Sequence, residues 1–126
     1  MLHLVLQGHN HGIDIDIANA TFTATARVWD LEHGYYGTDP HLMAISAARL
    51  GRSHDAMHFV MLDSDENRFS VMGHQLNFGK VAGYLPGNGA MLHAVAAMAV
   101  GFEGSIDAPG FPPGWHIRHE GLVKLP

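Results

Sequence analysis

Cysteine is absent from the 126 residues, which excludes disulfides, thiol chemistry and thiolate metal ligands together. Charge is scarce as well. Asp, Glu, Lys and Arg make up 15% of the chain, against about a quarter in an average globular protein. What charge there is leans negative, with a formal net charge of -5. That balance disfavours nucleic acid and anionic membranes as partners. Long hydrophobic runs are missing too. The apolar start Met1-Leu2-His3-Leu4-Val5-Leu6 is too short to span a bilayer and lacks the basic lead of an export signal. The expectation is a soluble chain with no targeting segment, and its compartment stays open.

What is there suffices for one modest core. Hydrophobic residues make up 47% of the chain, enough for a single domain over 1–126 and not for two. Ile13, Ile15 and Ile17 alternate with Asp14 and Asp16, a period that predicts extended chain. From Asp16 the period lengthens, and Ala18, Phe22, Thr25 or Ala26, and Trp29 predict a helix over about 17–30, capped by Asp16 or Asn19. A second helix is expected over His41–Leu50, ended by Gly51. Ser53 reads as the N-cap of a third over Asp55 to about Leu62, with Met57, Val60 and Met61 facing inward. Short strands are expected near Arg68–Met72 and over Trp115–His119.

The most pointed segment is Leu85-Pro86-Gly87-Asn88-Gly89 running into Ala90–Gly101. It reads as a tight loop in which Asn88 caps a helix over Ala90–Val100. Met91, Leu92, Val95, Met98, Ala99 and Phe102 would form that helix's core face.

Three groups of residues suggest chemistry. Eleven histidines raise a metal reading, with His9 and His11 or His54 and His58 as the best-spaced pairs, but no third ligand stands at zinc spacing. Asp30, Glu32 and Asp39 flank a loop bearing Tyr35 and Tyr36. Two carboxyl groups beside aromatic rings suit the cleavage of a glycosidic bond. The same residues also read as two water-facing carboxylates at a helix end and one cap for the helix at Pro40. Met72-Gly73-His74-Gln75-Leu76-Asn77 gathers neutral hydrogen-bonding groups of the kind sugar hydroxyls accept, or forms an ordinary polar turn.

Taken in order, Trp29-Asp30-Leu31-Glu32, Tyr36-Gly37-Thr38-Asp39, Ala47-Ala48-Arg49-Leu50-Gly51, Gly73-His74-Gln75, Tyr84-Leu85-Pro86-Gly87-Asn88-Gly89 and Trp115–Leu122 resemble the C-terminal end of a six-hairpin glycosidase. The resemblance runs from about Asp16 to Pro126. It implies a mainly α fold built from antiparallel helical hairpins of an (α/α)6 toroid, with a short β segment near the C-terminus. The chain would cover about the last two hairpins of such a ring, as a C-terminal fragment of the catalytic domain. The implied activity is glycoside hydrolysis by a pair of carboxylates, one of them upstream of Met1. Asp39 aligns with a catalytic carboxylate of the family motif, and Glu32 is the second candidate. Tyr36, His74, Gln75, Tyr84 and Asn88 would bind the sugar, and no cofactor or metal is implied. Tyr36 and Thr38 stand where the family carries tryptophans, Leu76 where it carries tyrosine, and His119 where it carries tryptophan. The rival from another class is a noncatalytic truncated helical protein that binds carbohydrate or associates with itself through exposed helix faces.

Overall fold

A computed structural model describes residues 12–31, 36–76, 81 and 83–126. Four helices run through them: α1 (Ile15–Val28), α2 (Asp39–Arg49), α3 (Ser53–Val60) and α4 (Leu85–Val100). The fold is mainly helical, with about 4% strand. Among the described residues, β pairing outside named strands consists of two isolated bridges, Phe69 with Gln75 antiparallel and Phe102 with Leu125 parallel.

The arrangement centres on α2. Pro40, His41 and every residue from Met43 to Ala48 are buried, a pattern expected of a helix enclosed on nearly all sides. Its alanines (Ala44, Ala47 and Ala48) leave room for close neighbours. α3 and α4 both pack on α2, and α1 touches it as well. Phe22 of α1 meets Phe59 of α3 edge to face at 5.9 Å. Ala94, Ala97 and Met98 of α4 join the same core, followed by Phe102. At the rim, the guanidinium of Arg49 lies 4.0 Å from the centre of the Phe102 ring. Arg52 covers Phe22 in the same way at 4.3 Å and pairs with Asp55.

The helix ends depart from the sequence expectations for identifiable reasons. α1 begins two residues early because Asp14, not Asp16 or Asn19, caps it, its Oδ1 accepting from the N–H groups of Asp16 and Ile17. Ile15 and Ile17 are therefore helical and not extended. Ser53 is the first residue of α3 and not its cap, since the cap position falls on Arg52. Met61, expected inside, is exposed, while Ala56, Phe59 and Val60 are buried. Gly51 and Gly101 do end their helices, with φ of 71° and 79° that favour a residue without Cβ.

The larger correction is at α4. Leu85–Gly89 is not a loop but the first turns of the helix. Of the expected core face, Met98, Ala99 and Phe102 are buried and Met91 packs on the core, whereas Leu92 and Val95 are exposed and Ala94 and Ala97 are buried in their place. Trp115–His119 forms no strand, and Trp115 stays largely open to solvent beside Phe111. An alternating sequence needs a neighbouring backbone to pair with, and none of these residues forms a bridge.

Candidate functional site

Three sequence segments meet at the N-terminal ends of α2 and α4. The first is the turn entering α2. Asp39 donates its N–H to Tyr36 O at 2.9 Å, and its Oδ2 accepts the Tyr36 N–H at 3.1 Å. This reciprocal pair closes the turn, and Pro40 follows with a φ already suited to a first helical turn. Thr38 Oγ1 adds a bond to the other carboxyl oxygen at 3.4 Å. Asp39 is half-buried, and burial raises its pKa above the usual 3.8 against the lowering effect of the Tyr36 and Thr38 bonds.

The second segment is a small hairpin. Ser70 accepts the His74 N–H on its Oγ and donates its own N–H to His74 O, while Leu76 bonds back to Arg68 O. Successive side chains of an extended segment point to opposite sides. His74 accordingly faces solvent and Gln75 is fully enclosed.

The third segment is the start of α4. Asn88, in the first turns, does not cap the helix. Its side chain reaches sideways, accepting the Gln75 N–H at 3.1 Å and donating to Gly73 O at 2.6 Å. Tyr84 donates its backbone N–H to Gln75 O at 2.8 Å. The hairpin is thus held to α4 through both groups of the Gln75 backbone.

The side chain of Gln75 completes the junction. Its Nε2 donates to Gly37 O at 2.8 Å and lies 3.4 Å from both Asn67 Oδ1 and His41 Nε2. Around it, His41 and Glu66 are also enclosed. Gln75 Oε1, His41 Nδ1 and Glu66 Oε2 are buried with no hydrogen-bond partner. Burial lowers the His41 pKa from 6.5 to about 4, so the imidazole is neutral at physiological pH.

Of the residues singled out from the sequence, Asp39, Tyr36, His74, Gln75, Tyr84 and Asn88 all belong to these three segments. Tyr36 and His74 are exposed, Asp39, Tyr84 and Asn88 half-buried, and Gln75 fully buried. Glu32, Tyr35, His9 and His11 lie outside the described residues. His54 and His58 are exposed on α3, and no three His, Asp or Glu side chains among the described residues are grouped to hold a metal ion. His41, Glu66 and Asn67 were missed by sequence reasoning. For His41 a signal was present, a histidine set among Pro40, Leu42 and Met43 at the head of an apolar helix. Nothing local marks Asn67, whose partners include Leu62 O and the Gln75 amide.

Chemically, the junction presents a half-buried carboxyl group that holds its proton more strongly than usual, next to an exposed tyrosine. A carboxyl group of that kind is suited to giving a proton to a leaving oxygen. Compared with protein-family models, curated proteins and solved structures, the chain matches none.

Proposed function

We propose that this chain is a C-terminal part of a glycoside hydrolase catalytic domain, contributing one carboxyl group to the hydrolysis of a glycosidic bond. The observation that carries the reading is that the turn of Asp39, the hairpin of His74 and Gln75, and the helix start at Asn88 are joined by direct hydrogen bonds. In this reading Asp39 is the general acid. Its proton passes to the glycosidic oxygen as the bond to the anomeric carbon breaks, and a second carboxylate activates the water or attacks the sugar. Glu32, or a residue outside this chain, is the candidate for that second role. Tyr36 supplies a ring face and His74 a hydrogen-bonding group to the sugar, while Asn88, bonded to the hairpin at both ends of its carboxamide, lines the site beside them. The half-buried Tyr84 lines the site, and Gln75 acts from beneath. The helices would be hairpins of an (α/α)6 ring, whose neighbouring hairpins would cover outward faces. No cofactor enters this chemistry.

The decisive measurement is hydrolysis of a panel of aryl glycosides by the purified chain and its Asp39→Asn variant. General acid catalysis contributes about 10²–10⁴-fold, so the variant should lose at least about 10²-fold. Measurable hydrolysis by the parent chain that Asp39→Asn leaves unchanged would end the reading.

A second reading is favoured by a different observation. α1 exposes Ile17 and Val28, and α4 exposes Leu85 and Leu92, each at about two-thirds or more of its surface. Such faces suit a noncatalytic protein that associates with itself.

A further inference from the structure

Gln75 is an unusual residue to enclose completely. Burying a carboxamide strips it of water, and Oε1 receives no hydrogen bond in return, a costly arrangement. An apolar side chain of the same length would avoid that loss. Something must therefore depend on the donor end, and its shortest bond goes to Gly37 O at 2.8 Å.

The glycines on either side point the same way. Neither Gly37 nor Gly87 has a positive φ, so backbone freedom does not call for glycine at either place. Space does. A Cβ built on Gly37 would collide with the Gln75 carboxamide and crowd Glu66 O, and a Cβ built on Gly87 would collide with the same carboxamide. The amide is thus clasped between the turn before α2 and the first turns of α4. Gly37 sits inside the turn that Tyr36 and Asp39 close on each other.

We infer that Gln75 is a positioning residue for Asp39, clasped by Gly37 and Gly87 and holding the Tyr36–Asp39 turn through its bond to Gly37 O. It acts from the buried side and touches no ligand itself. The bearing of this coupling on catalysis rests on the role proposed for Asp39, but the coupling does not require that role.

The test reads the Asp39 carboxyl group directly, by carbon-13 NMR titration without substrate. Gln75→Met keeps the length and removes the donor. Burial is the larger influence on Asp39, so a loosened, better hydrated turn should lower its titration midpoint by roughly half a unit, a threefold change in acid dissociation constant. Gly87→Ala, which pushes on the same carboxamide, should move it in the same direction. Phe22→Leu, which weakens the core at α1, should leave it unchanged, whereas a general loss of stability would move all three alike. An Asp39 midpoint in Gln75→Met equal to that of the parent chain, or an equal shift in Phe22→Leu, overturns the inference. Should Gln75→Met fail to fold, Gly87→Ala keeps the comparison, because it displaces the same carboxamide without adding a charge. Because hydrolysis is assayed separately, hydrolysis unaffected by Asp39→Asn together with a shifted midpoint in Gln75→Met refutes the function alone, and an Asp39-dependent hydrolysis with an unshifted midpoint refutes the coupling alone.

Discussion

At the residue scale, His41 carries the clearest measurable consequence. In the unfolded chain it binds a proton near pH 6.5, but in the folded protein only near pH 4, because its enclosed ring resists charge. Between those values the unfolded state binds more protons, so stability rises with pH across the window and is lost as pH falls from 6.5 towards 4. The difference corresponds to about 3 kcal/mol. Protonation would also turn Nε2 into a donor facing the Gln75 amide nitrogen 3.4 Å away. Urea unfolding followed at pH 4.5 and 7.5 should show this loss in the parent chain and a much flatter response in His41→Asn. An equal slope in both would mean that His41 does not govern it. Asp39 works in the opposite sense. Its raised carboxyl pKa favours the protonated folded form, a contribution present below 3.8 and lost as pH rises through the raised value. His41 could not be read from the sequence as a member of this cluster, because its contact with Gln75 spans 34 residues, and that of Gln75 with Gly37 spans 38.

At the scale of the elements, periodicity revealed the helices better than their limits. Phe22, Ala26 and Trp29 do face the core from α1 or its end, and Ala18 is buried on the same helix, as three-to-four spacing requires. The start of α1 was misplaced because Asp14, Asp16 and Asn19 are all competent caps, and only one has the extended backbone that a cap adopts. Asp14→Ala should therefore cost about 1 kcal/mol and lower the melting temperature by roughly 4 °C, measured by circular dichroism. Asp16→Ala and Asn19→Ala should each change it by less. The start of α4 was hidden for a different reason. Pro-Gly-Asn-Gly has poor helix propensity, and tertiary contacts override it. Asn88 spends its side chain on the hairpin, and Gly87 makes room for Gln75. Asp39, the pair His74 and Gln75, and Asn88 lie far apart along the chain and meet only in the fold. Spacing along the chain gave no means of finding that grouping.

At the scale of the whole molecule, the outward faces matter most. Ile17, Ala20, Ala24 and Val28 are all exposed along one line of α1. The 16 residues of α4 contain no Asp, Glu, Lys or Arg, and Leu92 is 73% exposed there. Helices that are apolar all round are ordinarily enclosed, so two copies of this chain should meet through such faces. A contact through α4 sets no like-charged side chains of that helix against each other. Sedimentation velocity should show mass increasing with protein concentration, and Leu92→Lys or Ile17→Lys should restore the monomer. A constant monomer mass over a hundredfold range (on the order of 1–100 μM, where weak interfaces show) would rule this out. A mainly helical fold was legible in the pattern of apolar residues. How those helices meet a neighbour was not, because an exposed face and a core face are written with the same amino acids. The enclosure of α2 has a last consequence. Since α1, α3 and α4 each shelter part of that one helix, removing any of them would leave the axis wet. The molecule should therefore hold its shape all at once or not at all, and no smaller piece of it would stand alone.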